Sequence, residues 1–303
     1  MPELASRAHL QNIVPVVEQA LAAAGCTMDG VDAFAFTRAP GLVGALIVGA
    51  QFTKSLALAS GKPLIAVDHM QAHVLANLID YPKPAFPYLC LTVSGGHTQI
   101  VICRSPSDME VIGTTIDDAV GETFDKSAKL LGLPYPGGPL IDQYAKLGKA
   151  IYSFPEPKIA GFDFSFSGVK TSIMYFLQNA GTSNVFNEQK KGDDERVAFI
   201  EENLTDICAS IQQRLVSILL NKLKKAAIHT GLTDICISGG VSANSSLRNN
   251  FHQLGNDLGW NTFIPKLEYC TDNGAMIAIT GYYKFLQKDF AGLDVVPAAR
   301  AEW

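Results

Sequence analysis

Two histidines four residues apart are the part of this sequence with the clearest capacity for chemistry. They lie in the segment Asp68-His-Met-Gln-Ala-His73, and on a helix this spacing places both imidazoles on one face. Two imidazoles so placed can occupy neighbouring positions on one metal ion. Met70 stands where the H-E-x-x-H motif of metallopeptidases carries its glutamate base. A pair of solvated or capping histidines is the simpler alternative.

A carboxylate commonly completes a metal site that contains two histidines. Asp272, in the segment Cys270-Thr-Asp-Asn-Gly274, is the predicted third ligand. It directly precedes the last apolar helix, so Asp272 or Thr271 could instead cap that helix. The sequence does not place Asp272 near the histidines, and both interpretations stay open.

A Ser-Gly-Gly sequence twice ends a short apolar strand, at Ser94–Gly96 and at Ser238–Gly240. Glycine allows the backbone to approach a ligand closely, and successive free N–H groups form a concavity that binds anions. Ligands of α/β folds bind at the carboxyl ends of strands. One such turn would be weak evidence, but two predict the halves of one nucleotide or phosphate cleft.

Three acidic residues surround the predicted start of a helix at Gly121. The favourable end of the helix dipole explains Asp118 and Glu122. Asp125 lies deeper in the helix, before Lys126, and is therefore the better candidate for a binding site.

Three further segments combine polar side chains with turns. The loop Pro134–Pro139 carries Gly138, which would let backbone approach a ligand, and Asp142 follows about one helical turn later. Phe164–Thr171 offers hydroxyls and Lys170 to an anion, unless Ser165 or Ser167 simply caps a helix. Asn244, about one turn into the helix after the second Ser-Gly-Gly, can donate to and accept from a ribose or adenine edge. A turn or a surface asparagine is the ordinary alternative.

Strands and helices alternate along the chain, and the segments that carry these residues fall at their ends. Apolar periodicity predicts helices at 4–24, 41–60, 68–78, 121–131, 273–285 and, as one helix or a pair, 196–229. Strands are predicted at 32–37, 63–67, 88–93, 98–103, 109–115 and 234–238. The pattern predicts an α/β fold with a mixed sheet in two lobes. Prolines at Tyr81–Pro87 place the lobes at residues 1–87 and 88–303, with the option that the last helix packs back on the first lobe.

Composition limits the classes of partner. The chain has 303 residues, of which 48% are hydrophobic, and a formal net charge of −5, so no basic face announces a nucleic-acid binder. An RNA would need a local patch or a partner subunit. Lysines occur locally in one such set, although solvated surface is the simpler interpretation: Lys190, Lys191, Lys222, Lys224 and Lys225.

The six cysteines form no C-x-x-C pair, which favours reduced core residues of a cytoplasmic protein. No segment resembles a signal peptide. Gln51 and Lys54 interrupt the apolar segment Gly41–Ala59, so we expect a buried helix there and no membrane association.

Seven motifs in this order give the chain a specific resemblance along nearly its whole length. They are His69-x-x-x-His73, Val93–Thr98, Gly121–Lys126, Tyr135–Pro139, Ser165–Lys170, Ser238–Asn244 and Thr271–Gly274. Together they resemble the tRNA N6-adenosine threonylcarbamoyltransferase family of the bacterial TsaD type, formerly described as O-sialoglycoprotein endopeptidases. The resemblance implies the actin-like ATPase (ASKHA) fold, with two lobes around a nucleotide cleft. It also implies transfer of the threonylcarbamoyl group of threonylcarbamoyl-adenylate to N6 of adenosine 37, in tRNAs that read ANN codons, with release of AMP.

The resemblance also implies site residues and partners. His69, His73 and Asp272 would hold one divalent metal ion, iron or zinc. The adenylate would be bound by Thr92, Val93, Ser94, Gly95, Gly96, Asp125, Gly138, Asp142 and Asn244. No general base is assigned, and His97 is the option considered. Bacterial members work with a shorter paralogous subunit and an ATPase subunit.

One feature departs from the family pattern. The usual opening strand and loop, of the form Gly-Ile-Glu-Thr-Ser-Cys-Asp-Glu-Thr, has no counterpart, because Met1–His9 matches a segment further inside the family. We therefore expect an N-terminally truncated chain whose first lobe lacks its opening strands, with lower stability and activity than a complete member.

Three other classes of function are alternatives to the transferase. A metallopeptidase would need a glutamate at the place of Met70. A small-molecule kinase or carbamoyltransferase of the same fold would leave the histidine pair and Asp272 without a role. A non-catalytic scaffold is conceivable for a truncated chain, but it would not need the metal histidines.

Overall fold

The computed structural model describes residues 2–179 and 193–300. The chain divides into two compact units. The first unit comprises Met1–Tyr81, Arg104–Met109 and Asp272–Trp303, and the second comprises Pro82–Cys103 and Glu110–Thr271. This division differs from the predicted lobes 1–87 and 88–303 at residues 82–87, 104–109 and 272–303.

A pair of parallel strands covered by helices forms the first unit. The strands are β1 (Phe34–Ala39) and β2 (Leu64–Asp68), and the helices are α1 (Pro2–Ala23), α2 (Val43–Ser60), α3 (His69–Leu75) and α10 (Gly274–Leu286). Short 3₁₀-helices lie at Met28–Gly30 and Ala76–Leu78. The predicted helix 68–78 is thus an α-helix that tightens in its last turn.

Helix α10 packs on β2 and α3 of the first unit. Met276 shares a buried apolar cluster with Ile65 and Val67 of β2 and Ala72 of α3. Gly281 allows close approach to β1, because a Cβ at this position would lie 2.7 Å from Ala35 Cβ. This packing brings the residues just before α10 next to α3.

The prediction of a buried helix at Gly41–Ala59 is wrong. Within α2 the buried residues are Ala50, Thr53 and Ala57, while Leu58 is 70% exposed. The helix contacts α1 and β1 along one side, and apolar side chains remain on the rest of its surface. By length and composition α2 could cross a membrane, which is weak evidence because core helices and signal sequences pass the same test.

The second unit is built on a mixed five-stranded sheet in the order β5-β4-β3-β6-β7. Its strands are β3 (Tyr88–Val93), β4 (Thr98–Ser105), β5 (Asp108–Thr114), β6 (Asp234–Ser238) and β7 (Asn261–Phe263). The predicted antiparallel run β3–β5 and the strand β6 are confirmed. Strand β7 was not predicted, since three residues with a polar start give no apolar run.

Helices enclose this sheet and supply its core. They are α4 (Val120–Leu130), α5 (Gly137–Ala145), α6 (Ser167–Gln178), α7 (Asp193–Thr230), α8 (Ser245–Leu258) and α9 (Leu267–Cys270), with a 3₁₀-helix at Gly240–Ala243. Strand β3 is buried along its whole length, as expected for a central strand covered on both faces. The predicted helix 196–229 is the single helix α7.

The cysteines are where the sequence predicts them, whereas one of the predicted surface lysines is buried. All six cysteines are free and five are buried, as predicted for reduced core residues. Lys222 is not a surface lysine, because it is 6% exposed and its Nζ donates to Ile159 O at 2.7 Å and Gly161 O at 2.9 Å. The prediction that Lys222 contributes to a basic surface patch is therefore wrong. Lys190 and Lys191 lie outside the described residues.

Candidate functional site

The two histidines of the first unit begin and end the first full turn of α3. Asp68 caps this helix, since its Oδ1 accepts from Met70 N at 2.8 Å and Gln71 N at 3.0 Å. The ring centroids of His69 and His73 lie 4.7 Å apart, edge to face. His73 is fully buried, whereas His69 is partly exposed. A helix that starts at the carboxyl end of β2 thus presents both imidazoles together.

Asp272 reaches the same two imidazoles from the segment that precedes α10. Its Oδ1 lies 3.2 Å from His69 Nε2 and 3.3 Å from His73 Nε2. The capping role belongs to the next residue, because Asn273 Oδ1 accepts from Met276 N at 2.9 Å. The alternative in which Asp272 or Thr271 caps the helix is therefore wrong.

The chemistry of these three side chains fits a divalent transition-metal ion. One ligand atom from each lies within 4.8 Å of the others. Both ring nitrogens of His73 are buried without hydrogen-bond geometry to any described residue. An unpaired buried polar atom costs about 1–3 kcal/mol, and coordination would satisfy one of the two nitrogens. Two imidazoles and a carboxylate suit iron or zinc.

The charge state of Asp272 agrees with a ligand role. The side chain is largely exposed, yet the imidazoles of His69 and then of His73 hold the pKa of its carboxyl well below the ordinary value. The group is therefore a carboxylate at neutral pH, as a metal ligand must be.

The two Ser-Gly-Gly turns of the second unit leave neighbouring strands at the same edge of the sheet. Strands β3 and β6 are parallel, and their register pairs Thr92 with Ser238. The two hydroxyl oxygens lie 3.2 Å apart. Since parallel strands end at one edge, both turns face the place where an α/β sheet binds its ligands.

Local contacts shape each turn differently. In the first, Ser94 N donates to His97 O at 2.8 Å and His97 N donates to Ser94 Oγ at 3.1 Å, which leaves Gly95 and Gly96 exposed. In the second, Gly239 has a φ of +87°, and a Cβ there would collide with Val93 O. The second turn thus requires glycine for its conformation and for its approach to β3.

Asp125 ties α4 to the start of α5. Its Oδ1 accepts from Gly137 N at 2.8 Å and from Gly138 N at 3.1 Å. The backbone N–H of Gly138 is therefore already bonded, so any ligand contact of Gly138 would come from its other backbone atoms. Asp125 and Gly138, predicted separately, form one element of the second unit.

Asp142 and Asn244 meet at the start of α8. Asp142 Oδ1 accepts from Ser245 Oγ at 2.7 Å and Ser245 N at 3.2 Å, and its Oδ2 pairs with Lys146 Nζ at 3.1 Å. Asn244 is the N-cap of α8 rather than a residue one turn into the helix. The position differs from the prediction because the 3₁₀-helix Gly240–Ala243 separates the glycines from α8.

Two aspartates that precede α4 organise the segment Phe164–Thr171. Asp117 caps α6, since its Oδ1 accepts from Phe166 N at 2.7 Å and Ser167 N at 3.3 Å. Neither Ser165 nor Ser167 is the N-cap, which corrects that prediction. A cap from so distant a residue leaves no local pattern in the sequence, apart from the pair of adjacent aspartates just before α4.

Asp118 is held by two lysines, so Lys170 is not free to bind an anion. Asp118 lies 2.6 Å from Lys170 Nζ and 3.0 Å from Lys126 Nζ, which also pairs with Glu122 at 2.7 Å. Burial raises the pKa of Asp118, but the hydrogen bonds from Lys170 and Lys126 outweigh it and leave the pKa below the ordinary 3.8. Asp118 thus joins α4 to α6 as a charged group.

We expect Asp118→Asn to lower the free energy of unfolding by about 2 kcal/mol at pH 7, because it removes charge-assisted hydrogen bonds. The folded-state pKa lies below 3.8, so this contribution is complete above that pH and disappears as the pH falls through the folded pKa. Urea unfolding from pH 7 to pH 3 measures the difference.

The exposed pair of Asp108 with Arg104, at 3.5 Å, supplies the matched control. Asp108→Asn is expected to change stability by less than about 0.5 kcal/mol. A deficit of Asp118→Asn that stays constant down to pH 3 would contradict the assignment.

The family model and the relatives that match this chain carry one and the same description. The model of the TsaD family, described as tRNA N6-adenosine threonylcarbamoyltransferase, matches residues 1–279. The chain is 55% identical over 304 residues to a protein of that description from Christiangramia forsetii, covering 99% of this chain and 86% of the relative. A protein of the same description from Cytophaga hutchinsonii is 52% identical, with 99% and 84% covered.

A likeness among solved structures concerns the fold alone. The crystal structure of HypF from T. kodakarensis superposes with a TM-score of 0.59 at 14% identity, covering 89% of this chain and 42% of that protein. The predicted α/β class is thus supported by a distant structure as well as by the described elements.

Proposed function

The chain belongs to the tRNA N6-adenosine threonylcarbamoyltransferase family and makes N6-threonylcarbamoyladenosine in tRNA, and we propose that its donor is threonylcarbamoyl-adenylate and its target adenosine 37 of tRNAs that read ANN codons. In that reaction the N6 amine bonds to the carbamoyl carbon, the bond from this carbon to the adenylate phosphate breaks, AMP leaves, and N6 loses a proton. The observation that carries this proposal is the 55% identity to the Christiangramia forsetii protein, which covers 99% of this chain.

The proposed architecture is the actin-like ATPase fold with two lobes. Support comes from the α/β class shared with HypF and from two compact units that each contain parallel strands under helices.

We further propose that His69, His73 and Asp272 hold one divalent ion, iron or zinc. The unsatisfied ring nitrogens of buried His73 and the ionised state of Asp272 support it. When bound, such an ion supplies positive charge that polarises phosphate or carbamoyl oxygens and stabilises developing negative charge.

The second unit is proposed to bind the adenylate. The residues are Thr92, Val93, Ser94, Gly95, Gly96, Asp125, Gly138, Asp142 and Asn244. Gly95 and Gly96 are exposed, so their N–H groups can provide fixed dipoles towards an anionic oxygen. The exocyclic amine of adenine is a poor nucleophile, and much of the rate must come from holding the two substrates in position. His97 is partly exposed beside this turn, and its role as a general base stays unassigned.

Partner subunits are part of the proposal. With a formal net charge of −5, the chain alone has little general attraction for a polyanion, so tRNA binding fits a complex with the shorter paralogous subunit and an ATPase subunit. Exposed apolar side chains on α1 and α2, among them Leu10 and Leu58, are compatible with contacts to another protein. A cytoplasmic location without membrane association stays a prediction.

The alternative functions are less well supported. This chain lacks the glutamate base that a metallopeptidase of the H-E-x-x-H type needs, since the residue at that position, Met70, is buried and carries no ionisable group. A pure scaffold gives no reason for two imidazoles and a carboxylate to converge.

The test is modification of tRNA by the full chain with its partner subunits. We expect threonylcarbamoyl-adenylate and an ANN-reading tRNA transcript to give N6-threonylcarbamoyladenosine, detected by mass spectrometry of the digested nucleosides. A transcript with guanosine at position 37 should remain unmodified. The relative from Christiangramia forsetii serves as the positive control, and failure of this chain where that relative succeeds would refute the proposal.

A further inference from the structure

The orientation of the Asn244 side-chain amide is fixed by its surroundings. Its Oδ1 accepts from Leu247 N at 2.9 Å. A backbone N–H only donates, so the atom facing it must be the carbonyl oxygen of the amide. The other terminal atom of Asn244 is therefore the nitrogen, which carries two N–H donors.

A glutamine on α7 takes one of these two donors. Asn244 Nδ2 donates to Gln212 Oε1 at 2.7 Å, and Gln212 is only 6% exposed. Since Nδ2 cannot accept, the glutamine atom that faces it must be its oxygen. A buried acceptor is costly to leave without its donor, so the Gln212 oxygen holds the Asn244 amide in place.

Within the described ranges, the second N–H of Asn244 has no hydrogen-bond partner, and the residue is only partly buried. Asn244 thus offers a substrate one N–H donor, aimed by two bonds within the protein. An adenine ring nitrogen or a ribose oxygen is the kind of atom that accepts such a bond.

We propose that Gln212 is a positioning residue of the adenylate site, which holds the Asn244 amide so that it donates to the nucleoside. This inference rests on the proposed adenylate-binding role of Asn244. It adds a residue on α7 to the site. It also gives the direction of one hydrogen bond, in which Asn244 donates to the ligand. No motif marked Gln212, because a single glutamine within a long amphipathic helix carries no sequence signal.

The experiment measures the dissociation constant of AMP by calorimetry for the full chain. Gln212→Met keeps the length of the side chain but has no acceptor, and we expect it to weaken AMP binding about fivefold to tenfold. Gln212→Glu keeps a carbonyl-type acceptor in either protonation state and should stay within about twofold of the wild type. Gln213→Met, at the exposed neighbouring position, should also stay within about twofold.

A double-mutant cycle separates positioning from a general structural effect. Asn244→Ser can still cap α8 but cannot reach Gln212, so Gln212→Met should change AMP binding less than about twofold in that background. If Gln212→Met lowers AMP affinity equally in the wild-type and Asn244→Ser backgrounds, the proposal is overturned. A tenfold loss of AMP affinity in Gln212→Glu would overturn it as well. The Gln212→Glu result also decides the case if Gln212→Met does not fold. A wild-type chain that binds no AMP would refute the adenylate site itself, and with it this inference.

Discussion

Replacement of His73 by alanine is expected to remove the metal ion and to lower tRNA modification at least about 100-fold. Changes in groups that merely support metal ligands cost about 10-fold to 100-fold, and loss of a ligand should cost more. His73 is fully buried, its ring nitrogens make no hydrogen bond within the described ranges, and its Nε2 lies 3.3 Å from Asp272 Oδ1, which supports the proposed ligand role. Metal content by mass spectrometry and the initial rate of tRNA modification measure the two effects.

His229→Ala is the matched control, because His229 is an exposed histidine on α7 whose ring contacts Phe162. It should leave metal content and rate near the wild-type values. A chelator should lower the melting temperature of the wild type and leave that of His73→Ala unchanged, because only the wild type has a bound ion to lose. Full metal content in His73→Ala would remove this residue from the site.

Gly121→Ala is the second change for which we expect a large effect. A Cβ at this position would lie 2.5 Å from Ser94 O and 2.8 Å from Gly95 Cα. Both are backbone atoms, so α4 and the first Ser-Gly-Gly turn would have to move apart. We expect a loss of about 2 kcal/mol in the free energy of unfolding, together with weaker AMP binding because the turn is displaced.

Gly168→Ala is the control for this change. Gly168 lies in the first turn of α6, and apart from its chain neighbours and the adjacent backbone of α6, no described heavy atom lies within 4 Å of where its Cβ would be. Alanine is the better helix former, so this variant should be unchanged or more stable by up to about 1 kcal/mol. Urea unfolding and AMP calorimetry on both variants suffice, and a Gly121→Ala protein as stable as the wild type would contradict the close packing.

Most elements of the fold could be predicted because periodicity is a local property of the sequence. The strands β3–β6 and helices α3, α4, α7 and α10 follow from runs of apolar residues. The same reasoning failed for α2, whose apolar composition predicts burial, although burial depends on which elements pack against it. Strand β7 is too short and too polar to give a signal, and its strand state depends on pairing with β6.

The candidate site was predictable in its residue types and not in its contacts. The spacing of His69 and His73 placed both on one helix face, but only packing of α10 on α3 and β2 brings Asp272 to them. Asn244 was predicted as a ligand-facing amide, while its role as N-cap and its bond to Gln212 depend on the distant helix α7. Long-range hydrogen bonds of this kind leave no local pattern.

The adjacency of β3 and β6 has a consequence for the order in which the protein acquires activity during folding. Thr92 and Ser238 touch in the sheet but are 146 positions apart in the chain, with the whole of α7 between them. Contacts of such sequence separation form late, because a long loop must close first. We therefore expect a nascent or refolding chain to gain nucleotide affinity only after β6 has paired with β3. Recovery of AMP binding would then follow, rather than accompany, recovery of helical circular dichroism.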